Sequence, residues 1–124
     1  MRLSILAGVV GATLIAAGAA QAAGNATAGA AVFTRCAMCH SNAKGEGNRI
    51  GPNLFGVVGR KAGTAADFSY SAAMKNAGFV WTNGKLDAYV TSPGKVVPGN
   101  KMMFPGLPSA QQRADLIAYL DTLK

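Results

Sequence analysis

Towards the end of the chain, Leu116, Ile117, Leu120 and Leu123 recur at i, i+1, i+4 and i+7, the stripe of an amphipathic helix. Ser109-Ala110-Gln111-Gln112 stands just ahead of it as a Ser-x-x-Gln capping box, so a helix is predicted from Ser109 onward. Near the other end, Gly29, Val32, Phe33 and Cys36 share one helical face. They predict a helix over Asn25 to Arg35, capped by Asn25 or Thr27. Gly29 has no side chain and would let a second helix come close. Two shorter helices are predicted between these, Ser71 to Ala77 stopped by Gly78 and Asn83 to Thr91 capped by Thr82 or Asn83. The second must end before Pro93.

The remaining pattern is loop. Gly45, Gly47, Gly51, Gly56, Gly59 and Gly63 make helix or sheet improbable over 41–69. Pro93, Pro98, Pro105 and Pro108, with Gly94, Gly99 and Gly106, predict an extended loop without helix over 92–108. No internal repeat is visible. The pattern predicts one all-α domain with long loops, and loops of this length in a compact domain need something rigid to wrap around.

The first residues do not belong to that domain. Met1-Arg2 is followed by an uncharged run from Leu3 to Ala20, and Ala20-Gln21-Ala22 is a small-x-small cleavage pattern. Residues 1–22 are read as a cleaved signal peptide and 23–124 as the domain. The competing reading is an uncleaved membrane anchor, since the apolar run approaches spanning length; its many Ala and Gly residues and the cleavage pattern argue against it.

Charge narrows the partners. The whole chain has 12 Lys and Arg against 5 Asp and Glu, a net charge of +7. The basic residues are scattered and not clustered with stacking aromatics, so nothing marks a nucleic-acid module. An acidic protein or an anionic membrane surface fits better. Of the 47 apolar residues in 23–124, 17 are alanine, a thin core for a domain of this size.

One stretch supplies both the missing volume and the chemistry. Arg35-Cys36-Ala37-Met38-Cys39-His40 contains Cys-x-x-Cys-His, the attachment pattern of a c-type haem. Residues three and four apart share a helical face, so two sulfurs and one imidazole can meet the same side of one cofactor. Cys36 and Cys39 are the only cysteines and His40 the only histidine. A structural zinc site would need four such ligands. A thioredoxin-like dithiol would need a βαβ setting that the pattern does not offer. A bare disulfide is the remaining plain reading. Export agrees with haem attachment, because an exported pair of free thiols would be open to oxidation.

A low-spin electron carrier needs a sixth ligand, and a second histidine does not exist, so methionine sulfur is the candidate. Met38 lies inside the attachment motif, too close to reach the far side. Met74 lies in a predicted short helix and suits the core. Met102 and Met103 both lie in the Pro/Gly loop, and spacing does not choose between them.

Nearly the whole of 23–124 resembles the class I cytochromes c of the mitochondrial and soluble bacterial kind. Gly51-Pro52-Asn53-Leu54, with Gly56, Gly59-Arg60-Lys61 and Gly63, is similar to the segment after the haem motif in that family. Pro98-Gly99-Asn100-Lys101-Met102, with Phe104, is similar to its methionine loop, and Leu116-Ile117-Ala118-Tyr119-Leu120 to its last helix. The resemblance implies an all-α class I cytochrome c fold around one covalently bound haem c. It implies His40 and Met102 as axial ligands. Pro52 would accept the second imidazole N–H, and Arg60, Tyr70 and Trp81 would surround a buried haem propionate. Tyr89 would put its hydroxyl near the methionine sulfur. Asn100 stands where the family often has threonine beside the propionate. Gly29 and Phe33 would meet Leu116 and Tyr119 where the terminal helices cross. Arg35, Arg49, Lys95 and Lys101 fit the family's basic ring, whereas Gly94, Pro108 and Ser109 interrupt it.

The expected function is that of a soluble, periplasmic, monomeric carrier of single electrons and not an enzyme. Its partners would be acidic redox proteins such as an oxidase, a bc1-type complex, a reaction centre or a periplasmic dehydrogenase, with peripheral membrane contact and no nucleic acid. A haem peroxidase or a ligand sensor with a labile methionine is the alternative. The first would need an open iron site and an acid/base group.

Overall fold

The computed structural model describes residues 23–124, together with Gly8, Gly11 and Ala12; the rest of the predicted signal segment lies outside the described residues. Five helices follow in order: α1 (Ala26–Phe33), α2 (Ala72–Lys75), α3 (Asn83–Thr91), α4 (Pro93–Val96) and α5 (Ala110–Leu120). Among the described residues there is no strand, and one isolated antiparallel bridge joins Lys61 to Val80.

The predicted N-caps form at Asn25, Thr82 and Ser109, Ser71 supplies one more, and α2 stops at Lys75 with Asn76 as its C-cap, short of the predicted stop at Gly78. The Asn25 side chain accepts from the Ala28 N–H at 2.9 Å, Ser71 caps α2, Thr82 caps α3, and Ser109 accepts from the Gln112 N–H at 3.2 Å. The helix α1 ends sooner than the stripe predicted. At Thr34 the hydroxyl donates to the Ala31 carbonyl, and the chain tightens into short turns that carry it through Cys36 to His40. The 92–108 expectation needs correcting, because Pro93–Val96 is a short helix. Pro93 stands at its start, where a helix leaves the N–H unused and the fixed φ of proline already suits.

The frame is the crossing of α1 with α5. A Cβ on Gly29 would overlap the Asp115 carbonyl, and one on Gly24 would overlap that of Ala114. Glycine at both places lets the backbones touch. Asp115 is 8% exposed and locks the crossing: its carboxylate accepts from the Asn25 N–H at 2.8 Å and from the Gln111 side chain at 2.9 Å. An anion at the first turn of α1 also opposes that helix's positive end. Phe33 packs on Tyr119 with ring centroids 5.1 Å apart, and Leu116, Ile117 and Leu120 are buried beneath.

A second anchor ties α3 and the late loop to α5. Arg113 pairs with Asp87 at 2.8 Å and donates to the carbonyls of Leu107 at 2.8 Å and Pro108 at 2.9 Å. Gly106, at φ 111°, passes against the Thr91 carbonyl where a side chain would collide, and Leu107 is 1% exposed. These contacts fix where the 98–108 loop ends.

The long 41–69 segment holds itself with asparagines. The Asn53 side chain donates to the carbonyls of Ala43 and Glu46 and accepts from the Phe55 N–H, while Asn48 accepts from the Asn53 N–H and donates to the Ala66 carbonyl. Backbone groups that a helix or sheet would satisfy are thus satisfied by side chains.

Candidate haem site

The attachment turn is wound by local bonds. The N–H groups of Cys39 and His40 both donate to the Cys36 carbonyl, at 3.0 and 2.9 Å, so the two cysteines and the histidine follow one tight turn. The two cysteines form no disulfide with each other, and both are partly buried. The Cys36 pKa is pushed up to about 11, first by burial, then by the neighbouring Cys39, with Arg35 opposing.

His40 is held from behind. Its Nδ1 lies 2.7 Å from the Pro52 carbonyl, which can only accept, so Nδ1 carries the proton and Nε2 keeps its lone pair. The ring rests on bare backbone: a Cβ on Gly51 would stand 2.7 Å from Nδ1. Burial lowers the His40 pKa, the Pro52 bond raises it and the nearby Arg60 charge lowers it further. A half-buried imidazole kept neutral, with Nε2 available, suits a metal.

Across the site, the four methionines of the described domain sort by exposure. Met103 is 100% exposed and Met38 72%, whereas Met74 is 9% exposed in the core. Met102 is partly buried, and the Tyr89 hydroxyl donates to its sulfur at 3.9 Å. Burial pushes the Tyr89 pKa up to about 12, so the phenol stays a donor. Asn100 fixes the loop at this point, accepting from the Met102 N–H and donating to the Val97 carbonyl, both at 2.9 Å.

The expected propionate residues form one side of the site. Trp81 is 6% exposed and packs between Phe79 and Tyr89, each ring centroid 4.8 Å from its own. Arg60 donates to the carbonyls of Asn53 at 3.1 Å and Phe55 at 3.3 Å. Burial lowers its pKa and the neighbouring Tyr70 opposes that. The Tyr70 hydroxyl accepts from the Ala65 N–H at 2.9 Å, which leaves its own hydrogen to donate elsewhere. Arg49, counted from the sequence only as a rim charge, also works as a clamp: its guanidinium donates to the carbonyls of Ala37 and Met38. Asn48 was missed, and Asn53 was named only as part of the resembling segment, with no role given to it. Their bonds are side chain to backbone across a loop and leave no periodic trace.

The family model described as Cytochrome c matches residues 26–124. The chain belongs to the cytochrome c family. It is 52% identical over 99 residues to cytochrome c of Guizotia abyssinica, covering 79% of this chain and 89% of that one. It is 48% identical over 102 residues to cytochrome c2 of Rhodoblastus acidophilus, covering 82% and 95%. Among solved structures it is similar to cytochrome cH from Methylobacterium extorquens, with a TM-score of 0.76 and 43% identity over 80% of this chain and 99% of that one. The fold is the all-α class I cytochrome c fold, the cofactor is one covalently bound haem c, and the function is single-electron transport between redox partners. The residues present fit that group in their chemistry: two cysteine sulfurs and an imidazole with Nε2 unprotonated on one turn, a partly buried thioether at Met102, and phenol, indole and guanidinium donors at Tyr70, Trp81 and Arg60.

Proposed function

We propose that in this cytochrome c Cys36 and Cys39 would hold the haem through thioethers, and that His40 and Met102 would ligate its iron. The haem supplies one-electron exchange between ferric and ferrous iron. The chain does the rest. Pro52 orients the His40 imidazole and raises its basicity. Tyr89 holds the Met102 sulfur, and Asn100 sets the backbone that presents it. Arg60, Tyr70 and Trp81 face the propionate side, where a buried carboxylate needs donors.

The observation that carries the ligand pair is the contrast between Met102, partly buried under the Tyr89 hydroxyl, and Met103, fully exposed one residue on. Met102→Ala should abolish the charge-transfer absorption from methionine sulfur to ferric iron, and Met103→Ala should leave it intact. The reverse result would move the ligand to Met103. A ferric protein with no such band at neutral pH would favour the peroxidase or sensor reading.

The same proposal includes export. Cleavage after Ala22 would release residues 23–124 to the periplasm as a soluble monomer that is not an enzyme. The support is the Ala20-Gln21-Ala22 pattern and the start of α1 packing at Gly24 and Asn25. N-terminal sequencing of protein purified from the periplasm should read Ala23-Gly24-Asn25. An intact Met1 in membranes would establish an anchor instead. Acidic redox partners are proposed from the net charge and from exposed Arg35, Arg49, Lys95 and Lys101.

A further inference from the structure

Seven asparagines stand in the chain, and Asn83 alone is followed by glycine. Five of the others, Asn25, Asn42, Asn48, Asn53 and Asn100, are tied into the fold through their side chains. Asn76 is exposed, but Ala77 follows it, and the Ala77 N–H is spent on the Met74 carbonyl at 3.2 Å. Asn83 and Gly84 are both exposed, at the first and second positions of α3.

That placement frees the Gly84 nitrogen. A helix cannot bond its first N–H groups internally, and the Thr82 hydroxyl takes the Lys85 N–H, one residue further on, at 3.1 Å. A Cβ on Gly84 would meet nothing within 4 Å, so a ring has room to close there. The Asn83 amide nitrogen donates to the Asp121 carboxylate at 3.1 Å. Asp121 caps the end of α5, so this one bond ties the start of α3 to it. Reaction between Asn83 and Gly84 waits for the first turn of α3 to open. Helix ends fray first, and a glycine at the second position weakens this one.

We propose that Asn83 is a self-modification site, a slow hydrolytic switch that turns the α3–α5 tie into a repulsion. The Gly84 nitrogen bonds to the side-chain carbonyl carbon of Asn83. The bond from that carbon to Nδ2 breaks, and Nδ2 leaves as ammonia with the proton that Gly84 gives up. Water then opens the five-membered imide at one carbonyl or the other. The product is aspartate, or isoaspartate with the main chain running through the side-chain carbon. One water is consumed, one ammonia is released, and nothing is oxidised or reduced. The donor that faced Asp121 has become a carboxylate, and like charges so close oppose each other. Isoaspartate also adds a backbone carbon between Thr82 and Lys85, whose N–H the Thr82 hydroxyl caps.

The test ages the holoprotein in mildly alkaline buffer and follows it by cation exchange and peptide mass mapping. A form with net charge lower by one unit should accumulate, with the mass gain of amide-to-acid conversion confined to Asn83. G84A should slow that conversion about fivefold through the steadier turn alone, and further by crowding the ring. Earlier conversion at Asn76 or any other asparagine would overturn the site, and so would an unchanged rate in G84A. Melting of N83D tests the switch. N83D should melt below the wild type. In a D121N background the same change should instead raise the melting temperature, because the positive end of α3 favours an anion once the opposing carboxylate is gone. A shift of the same sign and size in both backgrounds would overturn the repulsion.

Discussion

Gly51 shows how much one residue can decide. Its missing side chain is the space in which the His40 ring lies, and the next carbonyl, on Pro52, takes the imidazole proton. Gly51→Ala should push the ring off that carbonyl. Loss of such an outer partner typically weakens a ligand roughly 10–100-fold. Ferric G51A should therefore show a high-spin fraction and bind added cyanide at least about tenfold faster than wild type. Pro52→Ala keeps the carbonyl and should do less. The cysteines and His40 were legible because their spacing is itself the chemistry. The choice of Met102 over Met103 was not legible in spacing and came only from resemblance; exposure now supports it physically. Exposure also predicts the order of damage. Dilute peroxide should convert Met103 and Met38 to sulfoxides before Met102 and Met74, as read by peptide mass mapping.

At the scale of elements, the same substitution should have opposite signs in two helices. Gly29→Ala in α1 drives a methyl group into the Asp115 backbone, which cannot yield as a flexible side chain would. A cost of about 2–3 kcal/mol is expected from such overpacking. For a domain of this size that lowers Tm by roughly 10–20 °C. Gly84→Ala in α3 meets nothing within 4 Å and should gain up to about 1 kcal/mol by restricting the unfolded chain. Calorimetry of the two holoproteins checks both; a neutral G29A would mean that the crossing is looser than it looks. Helices α1, α3 and α5 were legible because caps and stripes are local signals. Helix α4 was not, because its proline reads as a breaker unless its position at the first turn is known. Asp115 was not either. Beside Leu116 it looks like a solvated helix position, and only the approach of α1 buries it. The asparagine staples of 41–69 were hidden for the same reason, since their partners lie up to 18 residues away in sequence.

For the molecule as a whole, the question is what remains when the cofactor is never attached. Among the described residues the core has twelve buried hydrophobic side chains, and it divides by origin. Phe33, Leu116, Ile117 and Leu120 belong to the α1–α5 crossing, where glycine contact, the Asp115 bonds and the Phe33–Tyr119 pair act together. Val57, Ala62, Met74, Trp81, Leu86, Tyr89, Val97 and Leu107 belong to α2, α3 and the loops around them, with little regular structure between them. Ordering those loops costs about 1–2 kcal/mol per residue in backbone entropy, and turns and side-chain staples repay little of it. A covalently held haem would give that half its common apolar partner, and the α1–α5 half does not need one. The C36A/C39A chain should therefore keep much of its helical far-ultraviolet signal while losing the near-ultraviolet signal of Trp81, the mark of secondary structure without fixed packing. Its urea transition should be broad, well below the slope of about 1 kcal/mol/M or more seen for small cooperative domains. A sharp transition with both signals lost together would show that the loops fold on their own strength, and that the thin alanine-rich core suffices without its cofactor.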